Sequence, residues 1–177
     1  MKGFVSIVIS GEPKSGKSTL AGMLAKAYGW QRLSLGDMWR EKWRKLYPNE
    51  EVPFDVFWKG TTIDENRRMN VEAKKIFEKG KMVGDSRFVS YLNPSKCFLI
   101  FMTASLETRA KRSANGEYKG KSIAGIKRLL KKREMDEVQM GMKLFKNDYR
   151  DPEHYHLILN SGILTPEQEF NIVRSIV

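Results

Sequence analysis

Short apolar runs alternate along the chain with longer stretches in which apolar residues recur every three or four positions. Residues 4–9, FVSIVI, have the length and β-rich content of a buried strand. Beyond them Leu20, Met23, Leu24, Ala27 and Tyr28 fall at helical spacing, and Gly29 marks the stop. Residues 30–35 predict a second strand. Residues 36–47 predict a helix with Met38, Trp39, Trp43, Leu46 and Tyr47 toward one side, ended by Pro48. A loop is expected over 48–60, with Phe54, Phe57 and Trp58 in it. Thr62-Ile-Asp-Glu65 has capping-box form and opens a helix to about Lys79, with Met69, Ala73, Ile76 and Phe77 on one side and Gly80 at its end. A strand over 81–85 ends in an acid, a loop and short helical turn follow to Tyr91, and Pro94 marks a break. The strongest later strand is 97–102. Helix is expected over 104–114, a glycine-containing connector over 115–120, and a long helical pattern over 122–148 with Ile123, Ile126, Leu129, Leu130 and Met135 on one face. Residues 155–160 predict the last strand, and Thr165-Pro166 cap and open the closing helix.

Five strands alternating with helices predict an α/β fold, a parallel sheet with helices on both faces, in one domain spanning 1–177. Ligands in such a fold sit at the C-terminal ends of the strands, so the chemistry must come from 10–18, 34–37, 85–87, Thr103 and 160–161. The longest apolar run is about six residues against the roughly 20 that span a bilayer. The N-terminus has no leader pattern, and the reading is cytoplasmic. Cys97 is the only cysteine; it permits no intrachain disulfide and belongs in the buried strand. His154 and His156, with no third ligand nearby, point to surface or packing roles rather than a metal.

The stretch between the first strand and helix carries the most specific chemistry. Gly11-Glu12-Pro13-Lys14-Ser15-Gly16-Lys17-Ser18 fits G-x-x-x-x-G-K-[ST], the phosphate-binding P-loop pattern, followed by Thr19. Glycines let successive N–H groups and the helix N-terminus converge on phosphate oxygens. Lys17 is placed for the β and γ phosphates and Ser18 for Mg²⁺, with ATP the expected donor. The net charge of +11 suits a polyphosphate and would also suit nucleic acid. Ten Lys or Arg against one acid, Glu117, lie in 109–133, much of which reads as a solvated helix face.

Residues 34–40, SLGDMWR, follow the second strand, and GDSRF follows the third. Together with the P-loop they resemble nucleoside monophosphate kinases, most closely the short archaeal-type cytidylate kinases, over nearly the whole chain. The resemblance implies the P-loop NTPase fold with an NMP-binding segment at about 36–80 and a lid at about 112–135. It implies Ser34, Asp37, Arg40 and Arg87 at the acceptor, with Asp37 and Asp85 near Mg²⁺ through water. It also implies Arg109 and Arg112 at the donor, Arg112 and Arg133 closing over the transferring group, and the turn after the last strand beside the adenine. Small nucleotides are the implied partners of a monomer, with no membrane, and nucleic acid stays open only through the alternative given below.

Some positions depart from the family. Pro13 and Lys14 stand where a glycine or small residue is usual. The lid arm, usually R-E-x-x-E-x-x-R-Y, reads REMDEVQMG, so that Met140 replaces an arginine and Gly141 a tyrosine; Lys143 or Lys119 are the candidate cations to compensate, each a point charge rather than a fork. Two alternatives stay open: a kinase of a hydroxyl acceptor with Asp37 or Asp85 as base, and a nucleotide-gated RNA- or protein-binding ATPase.

Overall fold

A computed structural model describes residues 3–88 and 95–177. Strand β1 (Ser6–Gly11) pairs in parallel with β3 (Met82–Asp85) on one side and β4 (Cys97–Thr103) on the other. The sheet is completed by β2 (Gln31–Ser34) outside β3 and β5 (Leu157–Asn160) outside β4, giving the order β2-β3-β1-β4-β5. This is the expected five-stranded parallel sheet. The helices are α1 (Lys17–Tyr28), α2 (Leu35–Leu46), α3 (Phe54–Lys59), α4 (Ile63–Lys79), α5 (Leu106–Ala114), α6 (Ile123–Phe145) and α7 (Pro166–Ile176). The helical turn expected through Tyr91 and the break at Pro94 lie outside the described residues.

Alternation along β1 sends successive side chains to opposite faces. Ile7 and Ile9 pack with Leu20, Leu24 and Val173, under α1 and α7. Val8 packs with Leu99, Trp39 and Phe77, under α2 and α4. Cys97 is buried in that second cluster, and burial pushes its thiol up to about 12. His156 also serves packing: its ring stacks on Phe98, and Nδ1 accepts the Leu99 N–H at 2.9 Å.

Several boundaries move from the sequence expectation, each for a local reason. β1 runs two residues further, because Ser10 and Gly11 pair with Phe101 and Met102 in a backbone ladder that ignores side-chain polarity. The buried side of α1 holds Leu20, Ala21, Leu24 and Ala25, whereas Ala27 is exposed. Residues 54–59, expected as loop, form α3; six residues are too few to show helical periodicity. Its Phe54, Phe57 and Trp58 pack beside Trp39. In α6, Ile126 and Leu130 are buried but Leu129 and Met135 are exposed, so one stripe does not run the length of the helix. The capping boxes at Thr62–Glu65 and Thr165–Gln168 are both formed.

Gly84 of β3 lies under the buried ring of Phe77. A Cβ there would sit 2.4 Å from Phe77 Cζ. The ring is wholly buried and has no room to retreat. Gly84→Ala is expected to lower stability by about 1–3 kcal/mol, as overpacking does. Chemical denaturation checks this; a variant as stable as the parent would contradict the packing described.

Candidate functional site

The C-terminal ends of β1, β2 and β3 open into one cleft of about 890 Å³. The turn from β1 to α1 forms its floor. Gly16 is the N-cap of α1 at φ 94°, a left-handed conformation suited to glycine, and no side chain caps the helix. No acid stands in the first turn, and Ser15 Oγ is buried without a partner among the described residues. A helix start left open in this way is suited to an anion. Gly11 answers a different constraint: a Cβ there would lie 2.1 Å from the Met102 carbonyl of β4.

Lys17 is buried, and its Nζ donates to the carbonyls of Gly11 at 3.0 Å and Glu12 at 2.6 Å. Burial, with the Arg87 guanidinium nearby, lowers this ammonium to about 7, against the pull of Asp85 and Glu137. Ser18 Oγ donates to Asp85 Oδ2. These two oxygens form a small hard donor set of the kind that holds Mg²⁺ together with substrate phosphates. Arg32 bridges Asp85, at 3.9 Å, and Asp37, at 3.8 Å. Asp37 also takes Arg40 at 2.9 Å, and the Arg40 guanidinium lies over the Phe54 ring. Ser34 caps α2, accepting from the Asp37 N–H at 3.3 Å.

Carboxylates hold the opposite wall. The buried Glu137 accepts from Arg87 at 2.8 Å and from Arg133 at 3.1 Å. Glu117 takes Arg133 at 3.2 Å and Lys14 of the β1–α1 turn at 2.6 Å. Burial would raise the Glu117 carboxyl, but Lys14 and Arg133 outweigh it and hold it below the usual range. Lys14, Arg87 and Arg133 are thus each paired with an acid of the protein itself.

Of the residues expected from sequence, Lys14, Gly16, Lys17, Ser18, Thr19, Ser34, Asp37, Arg40, Asp85, Arg87, Arg112 and Arg133 line the cleft. Gly11, Glu12, Pro13, Ser15 and Arg109 do not. Arg109, expected at the donor, lies away from the cleft in this structure: its side chain is buried, bonded to Ala104 O at 2.9 Å and paired with Glu12 at 3.3 Å and Glu134 at 3.2 Å. The Glu12 carboxylate also accepts from Thr103 Oγ1 and the Ala104 N–H, fixing the turn to the end of β4. Arg112 donates to Ser161 Oγ at 2.9 Å and to its carbonyl at 2.6 Å. It borders a smaller cavity of about 120 Å³ with Gly16, Thr19, Ser161, Pro166 and Glu169. Met140 packs beside Phe88, Phe101 and Tyr149.

Sequence reasoning missed Arg32, Asn66 and the two glutamates. Glu137 stands in the R-E-x-x-E stretch, a signal that was available. Arg32 and Asn66 carry no motif and become visible only when β2 and α4 are in place. The described residues contain no group of three or more His, Cys, Asp or Glu suited to a metal, and no helix long and apolar enough to cross a membrane.

A family model described as "Cytidylate kinase-like family" matches residues 62–163. The cytidylate kinase of Thermoplasma acidophilum is 30% identical over 168 residues, covering 92% of this chain and 86% of that protein. That of Desulfurococcus amylolyticus is 30% identical over 175 residues, covering 98% and 92%. Among solved structures, an uncharacterized protein from Eubacterium ventriosum superposes with a TM-score of 0.68 at 16% identity, covering 97% of each chain. Shikimate kinase from Bacteroides thetaiotaomicron gives 0.62 at 14%, again with 97% of each. At these identities the two structures speak to the fold alone.

The Lys17 shift has a consequence for stability. Its folded value, about 7, lies below the ordinary 10.5, so between these the unfolded chain binds more protons than the native one. Stability therefore rises with pH across that window. In the nucleotide-free protein the melting temperature of wild type relative to Lys17→Met is expected to climb from pH 7 to 9.5. A pH-independent difference would contradict the burial described.

Proposed function

The chain belongs to the cytidylate kinase-like family, and from that premise we propose that it transfers the γ-phosphoryl group of ATP to a nucleoside monophosphate, with CMP or dCMP as acceptor. The products are ADP and the nucleoside diphosphate. The observation that carries this reading is the cleft itself, which Lys14 and Lys17 of the P-loop line together with Arg40 and Arg87.

The acceptor phosphate is already ionised, so the reaction needs positioning and charge neutralisation rather than a strong base. The open N-terminus of α1 and Lys17 hold the donor's β and γ phosphates. Ser18, with Asp85, would hold Mg²⁺, which when bound supplies further neutralisation at the phosphate oxygens. The donor base lies in the small cavity bordered by Arg112 and Pro166. Arg40 and Arg87 take the acceptor phosphate, for which a planar guanidinium is suited to bidentate contact. Arg133 and Lys14 stand where charge develops, and entry of the phosphates displaces Glu117 and Glu137 as their partners. Segments 36–80 and 112–135 act as the acceptor-binding and lid parts. A hydroxyl acceptor would require a general base, and both candidate acids are engaged: Asp85 by Ser18 and Arg32, Asp37 by Arg40 and Arg32.

A coupled assay of ATP with CMP, dCMP, UMP, AMP and GMP in turn tests the reading. Transfer to cytidine monophosphates is expected to exceed the others. Lys17→Ala is expected to lower kcat by at least about 100-fold, the scale of losing one electrostatic contact to the transferring group. Arg87→Ala is expected chiefly to raise the acceptor KM, by roughly 10-fold or more. Unchanged turnover in folded Lys17→Ala would overturn the scheme.

A further inference from the structure

The inner side of α4 carries Asn66, Asn70, Ala73 and Phe77, spaced for a core-facing stripe. Two asparagines at such positions need a reason, because a buried amide is costly unless its polar atoms are paired. Asn70 donates to the Asn66 carbonyl at 2.8 Å, which ties the two together. Asn66 is 1% exposed and lines the cleft on the side formed by Trp39, Phe54 and Trp58.

The orientation of the Asn66 amide is dictated by its neighbours. Nδ2 donates to Thr61 Oγ1 at 2.8 Å and to the Thr62 carbonyl at 2.9 Å. Thr61 spends its own proton on the Trp58 carbonyl at 2.7 Å, so its oxygen can only accept here. The Thr62 carbonyl can only accept in any case. Both amide protons are therefore used, and the oxygen is the end left over. Among the described residues none donates a hydrogen bond to Oδ1.

We propose that Asn66 reads the exocyclic amine of the acceptor base: Oδ1 accepts from the 4-amino group of cytosine and disfavours the 4-carbonyl of uracil. The inference rests on the monophosphate-kinase reading above and adds the residue that selects the base. The aromatic side chains of the same wall suit a planar ring, and Arg40, 5.5 Å from the Phe54 ring centroid, sets the phosphate end of that wall. A carbonyl brought to a fixed carbonyl meets another acceptor with no proton between them. A fixed acceptor therefore discriminates more sharply than an amide free to turn over.

The test is kcat/KM for CMP, UMP and the 4-deamino analogue of CMP, with affinities from tryptophan fluorescence. Wild type is expected to favour CMP over both others by about 10- to 100-fold, the worth of one buried hydrogen bond. In Asn66→Ala the analogue is expected to reach parity with CMP. Thr61→Val removes one of the two acceptors that fix the amide and is expected to narrow the CMP/UMP ratio by raising UMP. It decides the matter alone if Asn66→Ala does not fold. Equal use of CMP and UMP by wild type would overturn the proposal. So would a full CMP preference in a folded Asn66→Ala, or an unchanged ratio in Thr61→Val if that is the only folded variant. Failure of the folded protein to phosphorylate any monophosphate would instead bring down the reading beneath it, and the choice of base with it.

Discussion

A lysine ammonium buried at the end of the central strand is the constraint around which the rest is arranged. Lys17 is satisfied by two carbonyls of its own turn, and burial lowers its hold on a proton. Such a group is stable in water-poor surroundings only with counter-charge close by. The fold supplies it from one strand end and one long helix, Asp85 from β3 and Glu137 from α6, with Glu117 of the connector beyond them. The same acids hold Arg87, Arg133 and Lys14 at the cleft. The protein thus carries a stand-in for the polyanion it is proposed to bind.

Geometry makes that concentration of charge possible. In a parallel sheet every strand ends on the same side, so the turns after β1, β2 and β3 deliver Lys17, Asp37 and Asp85 to one place. Two packed layers keep it there. Ile7 and Ile9 anchor β1 from one face, Val8 from the other, and the Glu12 carboxylate fastens the turn to β4. Glu12 and Arg109 are therefore part of the frame, and the absence of Arg109 from the cleft follows from its pairing with Glu12 and Glu134.

Much of this was legible in the sequence, because it depends on local rules. The strand–turn–helix around Gly16 and Lys17, the caps at Thr62 and Thr165 and the parallel sheet follow from spacing and turn chemistry. Family resemblance pointed to Asp37, Arg40, Asp85, Arg87 and Arg133, which meet in the cleft. What stayed hidden depends on distant partners. Glu117 looked like the one acid in a basic run; it is the link between Lys14 and Arg133. Arg109 looked like its basic neighbours until Glu12 and Glu134 were found beside it. Asn66 broke the apolar pattern of its helix, and only the positions of Thr61 and Thr62 reveal which end of its amide is committed.

The most direct measurement is a calorimetric titration of the protein with a non-hydrolysable ATP analogue and Mg²⁺ near pH 8, repeated in buffers of different ionisation enthalpy. At that pH Lys17, lowered to about 7, is largely deprotonated, and an incoming triphosphate should restore its proton. One saturable site with net proton uptake, abolished in Lys17→Met, is the expected result. A folded protein that shows no saturable binding, or binds with no proton uptake, would contradict the idea that a buried lysine awaits the phosphate chain.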